Sequence, residues 1–246
     1  MKTGVIIQAR MGSTRLPGKV MREFHNGKSI LEIIVKKVEK VTDLPITIAT
    51  SVNNENNVIR EYGFRNNIEV YSGSENDVLS RFYNIAKEKN YTHCIRICAD
   101  NPFLDVEQFK NLLTEVKKQP EHDYMSYFIY EKPVIQTHFG FWAESISYFA
   151  IKQLMRLDDK KTHEHVTIGV YENPKQFMIV KLNPPDSIIN SKMLRLTIDT
   201  IQDYKIVQKL YKKFGDNGNN VSLLEYVNKD EEIMNMMQEQ INNNNK

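Results

Sequence analysis

The stretch I-I-Q-A-R-M-G-S-T-R-L-P-G-K, Ile6 to Lys19, decides the fold. Its apolar start, Val5-Ile6-Ile7, reads as a buried strand. The strand breaks into a loop with three cations, Arg10, Arg15 and Lys19, interleaved with Gly12, Ser13, Pro17 and Gly18. Glycines let a backbone approach a ligand closely and aim several N–H groups at it, and the cations supply charge where a polyanion would sit. Open α/β sheets bind nucleotides at such a loop, at the C-terminal end of a first parallel strand. The pattern is neither G-x-G-x-x-G nor G-x-x-x-x-G-K-[ST]. A solvated basic turn is the plain alternative; a triphosphate-binding loop of another class is favoured.

The segment A-R-M-G-S-T-R-L-P-G-K resembles the signature of the cytidylyltransferases that make CMP-sugars. These are the CMP-3-deoxy-octulosonate and CMP-acylneuraminate synthetases, and especially their spore-coat-polysaccharide branch. The resemblance implies an α/β fold: a single Rossmann-like, GT-A-type nucleotidyltransferase domain with a mostly parallel sheet. It also implies that Gln8, Ala9, Arg10, Gly12, Ser13, Arg15 and Lys19 bind CTP, with Arg10, Arg15 and Lys19 catalytic.

Length and composition agree with one such domain. A chain of 246 residues can bury a sizeable core, and 41% hydrophobic content is ordinary for a globular protein. The formal charge of +2 is nearly balanced, so bulk charge points to no nucleic-acid partner. No apolar run approaches the roughly 20 residues of a membrane span, and a cytoplasmic location is expected. The two cysteines, Cys94 and Cys98, stand four apart on a strand, roughly 13 Å along it. A disulfide needs Cα atoms within about 7 Å, so both read as reduced core thiols.

Strand-like and helix-like runs alternate, as in a helix-covered parallel sheet. Helices are expected at residues 30–41, 53–62, 77–89, 106–117, 145–157 and 201–214, with Asn76 or Ser74 capping the third. Strands are expected at 45–51, 68–71, 94–98, 124–130, 134–141, 177–182 and 194–198. The block from about 120 to 192 reads as an inserted lid, acceptor or dimer-contact region of a domain spanning 1–241. A homodimer is the expected assembly, and the asparagine tract 242–246 is expected to be a disordered tail.

Two acids carry the remaining chemistry. I-R-I-C-A-D-N-P places Asp100 where the fourth strand ends, and L-R-L-T-I-D-T does the same for Asp199. Nucleotidyl transfer needs a divalent cation on phosphate oxygens, and strand-end carboxylates facing the loop are suited to hold it. A turn or capping role is the alternative for Asp100. Asp203, in a first helical turn, reads as complementing the helix dipole. The two segments resemble the family's G-D-x-P and V-D-T-P-E-D, whose acids coordinate magnesium. Ala99 replaces a glycine in the first; Ile201 and Gln202 depart from the second.

Other matches are weaker. S-G-S-E-N-D-V-L-S-R-F resembles the family's G-x-x-x-D-V-L-x-R, in which Asp77 caps or orients the loop and Arg81 can point into the nucleotide site; a solvated Arg81 fits equally. Thr50 and Ser51 stand where the family reads the pyrimidine edge. T-H-E-H-V-T resembles the spore-coat branch's R-E-H-V-T, with His163 in place of arginine, so Glu164 and His165 are expected to contact the acceptor sugar or order the lid. G-F-W-A-E resembles an acceptor-side strand ending in Glu144; Trp142 fits packing or sugar stacking.

The combined expectation is an enzyme that uses CTP, Mg2+ and a small sugar-acid acceptor, with no nucleic acid or membrane partner. A cytidylyltransferase acting on a sugar or polyol phosphate shares every nucleotide residue. A non-catalytic nucleotide-binding module is the alternative from another class.

Overall fold

In V-I-I, Val5 and Ile7 face one way and Ile6 the other, and each side meets its own helical layer. The computed structural model describes residues 1–189, 191, 193–215 and 220–243. In chain order, β1 (Thr3–Gln8) is followed by the phosphate-loop candidate and a short hairpin, β2 (Glu23–His25) and β3 (Lys28–Ser29). Then come α1 (Ile30–Glu39), β4 (Ile46–Ser51), α2 (Asn57–Arg65), β5 (Glu69–Gly73), α3 (Val78–Lys89), β6 (His93–Cys98) and α4 (Val106–Lys118). The middle block supplies β7 (Tyr124–Ile129), β8 (Lys132–Pro133), β9 (Glu144–Ser147), α5 (Tyr148–Leu154), α6 (Lys160–His165), α7 (Ile168–Tyr171) and β10 (Ile179–Leu182). Four helices close the chain: α8 (Asp186–Ile189), α9 (Ile201–Phe214), α10 (Asn220–Lys229) and α11 (Glu231–Asn243).

The strand order is β10-β7-β9-β6-β1-β4-β5, with β8 paired to β7. The pairs β1–β4, β1–β6, β4–β5 and β10–β7 are parallel, and β9 runs antiparallel to both its neighbours. The expected mostly parallel α/β sheet is therefore present. The chain moves from β1 outward to β4 and β5 and then returns to place β6 on the other side of β1. That reversal leaves a crevice beyond the C-terminal ends of β1 and β6, where Gln8 pairs with Cys98.

Local chemistry explains the main helices. Ser29 caps α1 reciprocally with Glu32, and Thr200 does so for α9 with Asp203. Asp77 itself caps α3 through the amide of Ser80 at 2.8 Å, correcting the Asn76 or Ser74 expectation. Ser74 instead accepts from the amide of Asp77 at 3.1 Å.

Several boundaries differ from the pattern. Asn54–Asn56 forms a 3-10 turn ahead of α2. Residues 134–141 do not form a strand: a 3-10 turn at Val134–Gln136 follows Pro133, and Gly140 takes a φ of +68°. The strand comes later as β9, where a longer helix was expected to begin at residue 145. Leu194, Leu196 and Ile198 are fully buried, but residues 194–198 join no sheet. Their segment hydrogen bonds to His138 and Asp100 instead. Helix α11 continues through Asn243, past the expected start of the tail, and residues 244–246 lie outside the described residues.

Candidate active site

Leu16 and Val20 are buried in the core and pin the loop after β1, while Ser13, Thr14 and Arg15, just before Leu16, face a cleft. The loop folds upon itself: Gly18 N–H donates to the Met11 carbonyl at 2.9 Å, and Gly18 has a φ of +73°. Met11 N–H donates to Asn56 Oδ1 at 2.8 Å, tying the loop to the start of α2. The cleft encloses about 750 Å3. Gln8, Ala9, Arg10, Ser13, Arg15, Lys19, Asp100, Asp199, Glu164 and His165 all line it. Residues far apart in sequence thus share one cavity of the size ligand sites have.

Lys19 is the centre of its charge arrangement. Its Nζ lies 3.1 Å from Asp100 Oδ2, 3.0 Å from Asp199 Oδ1 and 2.5 Å from the Ile198 carbonyl. Burial works against the ammonium, yet Asp100 and Asp199 outweigh it and raise its pKa. Arg15 adds a looser contact to Asp199 Oδ1 at 3.4 Å, and Arg10 pairs with Glu75 at 2.7 Å.

The two acids are held from behind. Lys37 on α1 donates to the carbonyls of Pro102 and Leu104, at 2.9 and 3.1 Å, and so braces the loop after Asp100. Buried Arg195 grips Asp203 with two N–H groups, at 2.7 and 2.9 Å, and reaches Asp199 Oδ2 at 3.1 Å. Asp203 also accepts from the amides of Asp199 and Thr200. It therefore does more than answer the helix dipole, the role its position suggested.

Among the described residues, no group of three or more His, Cys, Asp or Glu side chains gathers that could hold a metal alone. Magnesium typically uses one or two carboxylates and completes its shell with water and substrate phosphates. Two hard carboxylates drawn to one cation and facing an open cleft fit that pattern.

Five of the residues expected to bind the nucleotide are not part of the cleft wall. Thr50 and Ser51 are fully buried. Ser51 Oγ accepts from Asn56 at 2.7 Å, and Thr50 Oγ1 has no hydrogen-bond partner among the described residues. Central parallel strands are covered on both faces, which hides both hydroxyls. Gly12 sits beside Glu55 and Glu75, where a Cβ would come within 2.6 Å of Glu55 Oε1. Asp77 pairs with His163 Nδ1 at 3.0 Å and ties α6 to the start of α3. Arg81 is wholly buried against Gly73, and its hydrogen bonding among the described residues is a long 3.5 Å contact to the Ala49 carbonyl. Burial, resisted by Glu75 and aided by Arg10, pushes its pKa down to about 10.

Glu144 is placed differently as well. It is buried and paired with Arg96 of β6, and it also receives hydrogen bonds from Tyr124 at 2.5 Å and Thr167 at 3.1 Å. It lines a second, much smaller cavity, whose walls share Arg96, Cys98 and Asn101 with the main cleft. Trp142 also lines that cavity, stacked on Tyr127 with ring centroids 5.9 Å apart.

Arg96 escaped the sequence reading, although a lone cation inside the apolar strand H-C-I-R-I-C was a signal. Its Nε and Nη2 donate to Gln8 Oε1 at 3.2 and 3.1 Å, which fixes the Gln8 amide. Gln136, Lys161 and Tyr171 also line the cleft without having been singled out. Cys98, expected in the core, is half-buried at the same wall, whereas Cys94 is enclosed and burial pushes its thiol up to about 12.

A mostly parallel sheet, a basic loop after its first strand and two acids across the crevice define a nucleotidyltransferase. Residues 4–233 match the family model described as cytidylyltransferase. The chain belongs to the cytidylyltransferase family and is a CTP-dependent nucleotidyltransferase. It is 32% identical over 219 residues to the spore coat polysaccharide biosynthesis protein SpsF of Bacillus subtilis, covering 86% of this chain and 87% of that one. An uncharacterised protein of Methanocaldococcus jannaschii is 36% identical over 216 residues, covering 87% of this chain and 85% of the relative. A solved cytidylyltransferase structure from Leptospira borgpetersenii superposes with a TM-score of 0.82 at 26% identity, covering 95% of this chain and 96% of the other. No helix among the described residues is long and apolar enough to cross a membrane.

Proposed function

We propose that the protein transfers CMP from CTP to a hydroxyl of a sugar acid of the nonulosonic or octulosonic type, releasing pyrophosphate, in surface polysaccharide or glycan synthesis. The observation that carries this reading is the convergence of Lys19, Arg15, Asp100 and Asp199 on one cleft. The polysaccharide role of the SpsF relative supports the pathway class.

The acceptor hydroxyl gives up its proton to solvent and its oxygen forms a bond to the α-phosphorus, as the bond from that phosphorus to the bridging oxygen of pyrophosphate breaks. Such transfers depend mainly on positioning and charge neutralisation. Arg10, Arg15 and Lys19 bind the triphosphate and offset charge growing on the leaving pyrophosphate. Asp100 and Asp199 would hold Mg2+, which supplies positive charge to phosphate oxygens when bound. Glu164 and His165 face the acceptor. Tyr171 stays neutral there, since burial first, then Glu144, raises its pKa. Arg96 keeps the Gln8 amide oriented at the cleft floor.

Incubating the protein with CTP, Mg2+ and a panel of octulosonic acids, nonulosonic acids and sugar phosphates, and measuring pyrophosphate, tests this reading. Release is expected with a sugar acid. Release with a sugar or polyol phosphate alone would replace the sugar-acid assignment.

A further inference from the structure

The cation between the two carboxylates in this structure is part of the chain itself. Lys19 Nζ touches both Asp100 Oδ2 and Asp199 Oδ1, and the Ile198 carbonyl takes a further N–H. Asp199 Oδ2 is engaged by Arg195, and Arg15 stands 3.4 Å from Oδ1. Lys19 is only 8% exposed, so solvent screens this arrangement little. A divalent ion entering here meets an ammonium at the centre of its donor set and a guanidinium on the far oxygen of Asp199. Like charges at contact distance in a partly buried site repel strongly. A polyphosphate changes the balance, because it offers Lys19 and Arg15 anionic oxygens in exchange for the carboxylates and gives the ion oxygens of its own.

We propose that Lys19 is an internal counter-ion that holds Asp100 and Asp199 together in the ligand-free enzyme, so that the pair takes up a divalent cation only together with the nucleotide's phosphates. Metal and nucleotide then bind with positive linkage, and the carboxylates stay assembled between turnovers. This inference rests on the reading of Asp100 and Asp199 as the metal pair.

Mn2+ is the probe, and free ion is counted by electron paramagnetic resonance with no acceptor present. Lys19→Met should bind Mn2+ at least about tenfold more tightly than the wild type without nucleotide, a floor for removing one charge at contact distance. Lys161→Met removes another cleft cation, one paired with Glu172 at 2.5 Å, and should leave Mn2+ affinity within about twofold. Adding Asp100→Asn to Lys19→Met should abolish the gain. In the wild type, saturation with a non-transferable CTP analogue should tighten enzyme-bound Mn2+ at least about tenfold, an arm that does not depend on the variant folding. Equal affinity of Lys19→Met and wild type, or tight Mn2+ binding by the nucleotide-free wild type, overturns the counter-ion role. A gain that survives Asp100→Asn shows that the ion sits elsewhere and overturns the metal pair as well.

Discussion

The backbone amide of Ile198 donates to the carbonyl of Asp100 at 3.0 Å. One hydrogen bond thus fastens the residue before Asp199 to the residue that carries the other acid. Asp100 reaches the crevice because β6 ends beside β1, and Asp199 because an extended segment outside the sheet is laid against that end. The two carboxylates are set by the backbone before any ligand arrives, which is the preorganisation that charge-based catalysis requires.

Asp203 should prove as necessary to stability as to activity. It and Arg195 are each about 1% exposed and form a two-pronged pair. Asp203→Ala takes the two-pronged partner from a buried guanidinium and leaves it the 3.1 Å contact to Asp199; breaking such a pair costs about 3–5 kcal/mol. Urea denaturation should show that loss, with turnover falling because Asp199 loses its brace. A loss below about 1 kcal/mol would place Asp203 among ordinary capping residues.

Two glutamates assigned to the acceptor should behave in opposite ways. Glu144→Ala uncovers buried Arg96 and should destabilise the fold by about 3–5 kcal/mol. Glu164→Ala lies on the exposed side of the cleft and should shift stability by less than about 0.5 kcal/mol while raising the acceptor's KM more than that of CTP. Denaturation and steady-state kinetics on both variants separate the two roles. Matching losses of stability would contradict them.

The Asp77–His163 pair predicts a pH dependence with a definite sign. Burial opposes the charged imidazole, but the hydrogen bond and charge of Asp77 prevail and raise the His163 pKa above its ordinary value of 6.5. A raised folded pKa means that the stabilisation is complete below 6.5 and lost as pH rises through the folded value. Asp77→Asn preserves a competent helix cap and removes only the charge. Its melting temperature should therefore fall below the wild type's more at acid pH than at alkaline pH. A constant difference would show that the pair does not anchor α6.

Much of this architecture was legible because local chemistry and global fold agree. The V-I-I run, the glycine-rich basic loop and the acid after I-R-I-C each sit where an open parallel sheet needs them. Residues 194–198 looked like a strand because burial of alternate apolar residues needs no ladder partner. Thr50 and Ser51 were misplaced because a strand covered on both faces carries no periodic mark of which side meets the cleft. The burial of Lys19 was not legible, since nothing in P-G-K reveals two acids meeting it from distant segments. Helices α10 and α11 went unread, although Ile233, Met234, Met237 and Ile241 keep helical spacing and are buried.

The most direct test compares acceptor-dependent pyrophosphate release from CTP by the wild type and by Asp199→Asn, with Mg2+ and with chelator. The substitution keeps the side-chain shape and removes the charge that Lys19, Arg15 and Arg195 all address. The account predicts a fall in turnover of at least about a hundredfold, as for loss of one electrostatic element of a transition-state site, and no release by the wild type in chelator. Near-normal release by Asp199→Asn, in a variant that melts like the wild type, would contradict it.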